Sequence, residues 1–247
     1  MPSNMNEDLD NIKYRQIKEI KYNKLFPDYK PTNVVLSSSE RRQVVETINQ
    51  RISQLVDGLK MMSDNLAEMR SETTDDNNII ESIHSFFFFT TLTTADCLVA
   101  FKYFLIADTD YDQKYMYGKL KVILNEGFKK LYGYNDKNHK VSEWTKISKL
   151  LPAFPDVIKK QYDVLDFLFD KQSKKSTWWQ EERSNETHLD ALKLYDSRNE
   201  IINESQVMLD TTQLLNALDA ADQFVENLNI CVINTFLDKY KKGELIE

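Results

Sequence analysis

Only 5 glycines, 5 prolines, 3 histidines and 2 cysteines occur among the 247 residues, and each scarcity removes a class of site. With so few glycines the chain holds no glycine-rich phosphate cradle, Walker motif or nucleophile elbow. Cys97 and Cys231 each sit inside an apolar run. Two such isolated thiols make neither a disulfide framework nor a zinc site, and they point to a reducing, cytoplasmic setting. The first residues, MPSNMNEDLDNIKYRQIKEIKYNK, lack an apolar signal core, so secretion is not expected. An excess of basic residues is missing as well. Lys and Arg total 32 against 39 Asp and Glu, a net charge of -7, so any contact with RNA needs a local basic patch rather than the whole surface.

One run, IHSFFFFTTLTTADCLVAFKYFLIA, has membrane-like hydropathy, but Asp96, Lys102 and several threonines interrupt it. A charge near the bilayer centre costs ~2.5 to 3.5 kcal/mol. The run therefore reads as a buried core helix, and no membrane association is expected.

What is present is helical pattern. Hydrophobic residues make up 41% and charged residues 29%, enough apolar content for a real core. Prolines 27 and 31 close a polar leader, residues 1–36, and proline does not recur until Pro152 and Pro155. Long proline-free stretches suit long helices. The first opens at LSSSERR, where Ser39 or a neighbour caps. From there Val45, Ile48, Ile52, Leu55, Leu59, Met62, Leu66 and Met69 alternate steps of three and four, the signature of a bundle seam. Gly58 inside it suggests a close helix contact.

SETTDDNN is a polar turn, and Ile79 to Ala107 form the apolar helix, which belongs in the middle of a bundle. A third helix runs through QKYMYGKLKVILNEGFKKLYG to Gly133, with Gly127 as a packing position, and YNDKNHK reads as loop. A short helix from Ser142 stops at Pro152. The next, in PDVIKKQYDVLDFLFD, has Val157, Tyr162, Leu165, Leu168 and Phe169 as its apolar side. Asn203 or Ser205 opens a last long helix whose Val207, Leu214, Leu218, Ala221, Val225, Leu228 and Val232 keep the same rhythm, Thr211 filling the gap. On its other side Asp219, Asp222 and Glu226 read as a solvated face. The expected fold is all-α: an antiparallel four-helix-bundle core with additional shorter helices, residues 37–247 forming one domain.

Candidate chemistry concentrates in WWQEERSNETHLDALKLYDSRNE, residues 178–200. On a straight helix Arg183 and His188 would point about 140° apart, so they converge only if the helix ends between them. Ser184 and Asn185, which favour caps and turns, supply such an end. The alternative is a packing corner in which Arg183 pairs with Glu181, Glu182 or Glu186. Trp178 and Trp179 read as hydrophobic anchors of this corner, with base stacking as the other use. Glu81 and His84 have the Glu-x-x-His spacing of di-iron bundles, but no second copy exists, and neither metal nor cofactor is expected. Asp96 reads as a buried carboxylate needing a partner: Lys102, a nearby threonine, or Arg183 as the residue it orients.

RSNETH resembles the signature of the HEPN superfamily, in which an Arg, a few residues and a His lie at the end of a helix in a helical bundle. The residue after the Arg is here Ser184, with Asn185 one step later. The resemblance implies a metal-independent endoribonuclease of toxin-antitoxin or abortive-infection systems, working as a homodimer whose two motifs meet in a shared cleft. It implies Arg183 and His188 as catalytic residues, with Ser184 and Asn185 beside them, and RNA as substrate; Asp96 joins them as support if it orients Arg183. Lys171, Lys174 and Lys175, just upstream, would supply positive potential for the RNA. Other members bind without cutting, so the alternative is a non-catalytic helical module that takes a protein partner, such as an antitoxin.

Overall fold

The computed structural model describes residues 14–25, 35–71, 77–175 and 201–242. Within them lie seven α-helices and no strand: α1 (Ser38–Ser71), α2 (Asn77–Leu105), α3 (Asp110–Leu131), α4 (Asp136–His139), α5 (Glu143–Ser148), α6 (Asp156–Lys175) and α7 (Glu204–Lys241). The all-α architecture read from the sequence is the one observed.

Local chemistry sets the helix starts. Ser37 opens α1 through a reciprocal cap. Its hydroxyl accepts the Glu40 N–H at 3.3 Å, and the Glu40 carboxylate accepts the Ser37 N–H at 2.8 Å. Thr109, Ser142 and Asn203 cap α3, α5 and α7 through side chains that accept an N–H from three residues on. At its C-terminus α3 ends on Gly133, whose φ of +95° suits glycine, and a Cβ there would meet the His139 nitrogen at 2.6 Å.

The apolar α2 is the axis of the fold, packed against α1, α3, α5 and α7. Its pairs with α1 (Lys102 to Asn49, 3.1 Å), α3 (rings of Phe104 and Tyr117, 6.1 Å) and α7 (Thr90 to Asp222) show that it runs antiparallel to all three. α6 in turn runs antiparallel to α7, held by Asn227 to Gln161 at 2.9 Å and Gln172 to Gln213 at 3.2 Å. At one end a polar knot joins four helices: Arg41 of α1 donates to the Leu105 carbonyl and pairs with Glu204 of α7, which also accepts from Gln113 of α3.

Beneath α5 lies an aromatic core. Trp144 is fully buried and stacks on Tyr162 at 4.8 Å, with Phe169 and Phe224 at 5.0 and 5.3 Å. Its indole N–H donates to Asp166 at 3.1 Å. Burial raises the pKa of both Tyr162 and Asp166, while the hydrogen bonds that Trp144 and Tyr162 donate to the Asp166 carboxylate oppose its shift.

Several expectations need correction. Gly58 does not mark a close helix contact, since a Cβ there would meet nothing within 4 Å. Gly127 does mark a close approach, since a Cβ would lie 2.9 Å from Thr93 and 3.2 Å from Leu214. The α1 seam is only half-buried, with Ile48 and Leu55 its fully buried members; the side chains of Leu66 and Met69 lie outside the described residues. In α6 the buried residue is Ile158 rather than Val157, which is exposed. YNDKNHK contains a helical turn, α4, where His139 Nδ1–H donates to the Tyr132 carbonyl at 2.9 Å. Residues 14–25 of the polar leader lie along α7, with Ile20 and Leu25 buried.

Candidate functional site: an open cleft on α2

Where α1 and α3 diverge, one face of α2 is left open. Ser85, Phe88, Phe89, Leu92, Thr93 and Asp96 fall on that face at helical spacing and floor a cleft of 660 Å³. This stripe is about 16 Å long at 1.5 Å per residue. Ser63 and Ala67 of α1 form one wall; Ile123, Glu126, Gly127 and Lys130 of α3 form the other, and Glu143 and Lys146 of α5 close an end. Gly127 matters here because its missing side chain lets α3 sit low against Thr93.

The cleft is amphipathic. Leu92 is 41% exposed in it, which is unusual for an aliphatic side chain in the middle of a central helix. Lys130 Nζ sits 5.1 Å from the centre of the Phe89 ring. Lys146 pairs with Glu143 at 2.8 Å. Asp96, expected to be buried, is instead exposed on this cleft. It does not pair with Lys102, whose ammonium goes to Asn49. Partial desolvation by the apolar floor raises its pKa.

A second polar site lies on α7. Of the three acidic residues expected to form a solvated face, Asp219 is exposed and Glu226 partly so, but Asp222 is half-buried in a 240 Å³ hollow between α1, α2 and α7. Thr90 Oγ1 is in hydrogen-bond reach of Asp222 and of the Phe86 and Phe87 carbonyls. One hydroxyl proton serves one acceptor at a time, so a Thr90 that donates to Asp222 leaves the Phe86 and Phe87 carbonyls to their helix partners. Burial pushes the Asp222 carboxyl up to about 7; Asp219 and Glu226 add to this, while the Thr90 hydrogen bond and the Arg51 charge oppose it.

The sign of its effect on stability follows. In the unfolded chain Asp222 ionises in the ordinary carboxylate range, and in the fold only near 7. The folded state therefore binds more protons between these limits, and stability falls as pH rises from about 4 to about 7. Asp222→Asn is expected to raise the melting temperature by about 3 to 6 °C at pH 8, roughly 1 to 2 kcal/mol after allowance for solvation and Arg51. Near pH 4 the gain should vanish. Thermal denaturation of both proteins across this range checks it, and an equal shift at both ends would refute the assignment.

Arg183, Ser184, Asn185 and His188 lie outside the described residues, as do Trp178 and Trp179. Lys171 and Lys174 lie on the last turns of α6, where Lys174 pairs with Asp170 at 2.6 Å; the side chain of Lys175 lies outside the described residues. α6 is not a wall of the cleft that holds Asp96, so the described members of the expected site are not brought together. His84 is half-buried on α2, its pKa lowered by desolvation. Among the described residues no three His, Cys, Asp or Glu side chains gather as a metal site would require. Burial pushes the Cys97 thiol up to about 12, which leaves it inert as a nucleophile.

Sequence reasoning overlooked the cleft because Phe88 and Leu92 read as ordinary core positions of a helix apolar all round. The signal that was available is the polar interruption on the same stripe: Ser85, Thr93 and Asp96 share it with the aromatic rings.

The site and fold define an all-helical protein with an open amphipathic cleft on its central helix. Comparison of the chain with protein-family models, with curated proteins and with solved structures gives no match. Among the described residues one helix, Ile79–Leu105, is long and apolar enough to cross a membrane, and half of its most apolar window is buried inside the structure.

Proposed function

We propose that the chain is a HEPN-like helical interaction protein of the cytoplasm that seats an amphipathic helix of a protein partner in the α2 cleft. The observation that carries this reading is the open stripe from Ser85 to Asp96. It is apolar in its middle, flanked by two helices, and of a length that takes three turns of a docking helix. Exposed Leu92 and half-buried Phe88 supply the apolar contact, and Asp96 calls for Lys or Arg on the partner. In a toxin-antitoxin setting that partner is the antitoxin.

Peptide-display selection on the purified chain tests it. Enriched peptides should carry apolar residues at i, i+3 or i+4 and i+7 with a basic residue toward Asp96. They should lose at least tenfold in affinity on Leu92→Asp, a change that leaves the core intact because Leu92 is already exposed. Peptides that bind Leu92→Asp and the parent equally would refute the cleft as the docking site.

A second reading, a metal-independent endoribonuclease acting as a homodimer, is carried by the Arg183 to His188 spacing in RSNETH. Lys171 lies exposed on α6, about a dozen residues before it in the sequence. Its test is RNA cleavage in the presence of a chelator.

A further inference from the structure

We propose that the face formed by α7 and α6 is a binding site for an extended, lysine-bearing peptide segment of a protein partner, and that residues 14–25 are its occupant in cis. The inference is independent of the α2 cleft, which lies on other helices. It starts from two asparagines one heptad apart. The Asn234 side chain accepts the Arg15 N–H at 3.2 Å and donates to the Arg15 carbonyl at 3.0 Å. Asn227 does the same for Lys18, at 2.8 Å for both bonds. Each amide thus reads both backbone groups of one residue, as a neighbouring strand would.

The spacing makes this a register rather than a coincidence. Seven helical residues rise about 10.5 Å, and three residues of extended chain span about 9.5 to 10 Å. A helix with asparagines at i and i+7 therefore meets the backbone of an antiparallel extended peptide at j and j-3, whatever its side chains are. Gln161 of α6 reinforces the second clamp, donating to the Lys18 carbonyl at 3.2 Å and accepting from Asn227 at 2.9 Å. Asn227 is fully buried. Its amide needs an extended backbone opposite it, since an unsatisfied buried amide costs about 1 to 3 kcal/mol.

Side-chain readout is superimposed on these clamps. Lys18 pairs with Glu226 at 2.6 Å, and the Tyr14 hydroxyl donates to Asp238 at 2.6 Å. Lys21 and Asp219 line one 130 Å³ pocket, where Ile20 and Leu25 are buried as apolar anchors. The acidic residues of α7 are thus one wall of a groove matched to a basic, extended segment. A partner with tyrosine, lysine and aliphatic residues at the spacing of Tyr14, Lys18 and Ile20 would take the same seat after displacing the cis segment.

Fluorescence anisotropy with a labelled synthetic peptide of residues 14–25 tests this on the full chain. Ile20→Asp removes an anchor and should free the groove. The peptide should bind this variant at least tenfold more tightly than the wild type, whose own segment competes at a high effective concentration. Adding Asn227→Ala to Ile20→Asp should reduce binding at least tenfold. Equal binding to wild type and Ile20→Asp would overturn the proposal, as would absence of binding to a variant with native circular dichroism. Should Ile20→Asp fail to fold, hydrogen exchange on the wild type decides. The Arg15 and Lys18 amides should exchange at least 100-fold faster than those of Leu218 and Phe224, by local release of the segment. Exchange at the rate of the α7 core would make the segment an integral part of the fold and overturn its role as a displaceable occupant. Light scattering separates the cis seat from exchange between two copies: a dimer dissolved by Ile20→Asp would overturn the cis assignment.

Discussion

Trp144→Ala is expected to cost about 3 to 5 kcal/mol of stability, the range for emptying a large buried aromatic site. Trp144 is fully buried, and four rings from three other helices converge on it: Phe86, Tyr162, Phe169 and Phe224. Because those rings belong to α2, α6 and α7, the site cannot collapse without moving whole helices, which places the expected cost at the upper part of the range. The change also strips Asp166 of its indole donor and leaves a half-buried carboxyl short of a partner. Trp144→Phe separates the two effects. It keeps most of the packing and loses the N–H, so about 1 to 2 kcal/mol should be lost. Denaturant titration of the three proteins measures both, and a Trp144→Ala loss under about 1 kcal/mol would contradict the aromatic core described here.

The second large effect concerns RNA. In the ribonuclease reading, the 2′-hydroxyl attacks the adjacent phosphorus, its proton passes to a base, and the 5′-oxygen leaves with a proton from an acid. The products are a 2′,3′-cyclic phosphate and a free 5′-hydroxyl. In that reading His188 moves the proton, and the Arg183 fork holds the phosphate oxygens as negative charge develops. His188→Ala and Arg183→Ala are each expected to lower cleavage of single-stranded RNA, measured with a chelator present, by at least ~10²-fold. Melting temperatures should move little. The active species should be a dimer of the 29.1 kDa chain. Parent protein that leaves RNA intact while both variants melt early would return RSNETH to the role of a packing corner.

The two outcomes bear on different parts of the chain. Trp144 tests the packing that holds α2, α6 and α7 together, whereas Arg183 and His188 test a stretch whose chemistry is legible only as a motif.

Helix identity was readable from one dimension of information. Steps of three and four along Val207 to Val232 place one face of α7 in the core wherever its neighbours lie, and the same argument identified α2 as the buried axis. Caps at Ser142 and Asn203 were readable too, because they act on N–H groups three residues away, while the cap expected at Ser39 or a neighbour falls on Ser37. Gly133 belongs with them, since its positive φ is a local requirement. What the pattern left open depended on which surfaces meet. Asp222 carries the same carboxylate as Asp219, yet Thr90 and the walls of α1 and α2 take it partly out of water and raise its pKa. Asp96 went the opposite way: an apolar sequence context suggested burial, but α1 and α3 diverge beside it and leave it open. Asn227 and Asn234 meet an extended segment more than 200 residues earlier in the chain, a pairing that no local pattern announces. A helix's own period determines which residues share a face; whether that face meets a neighbour, a cleft or an extended segment depends on distant parts of the chain, and only the packed structure brings those together.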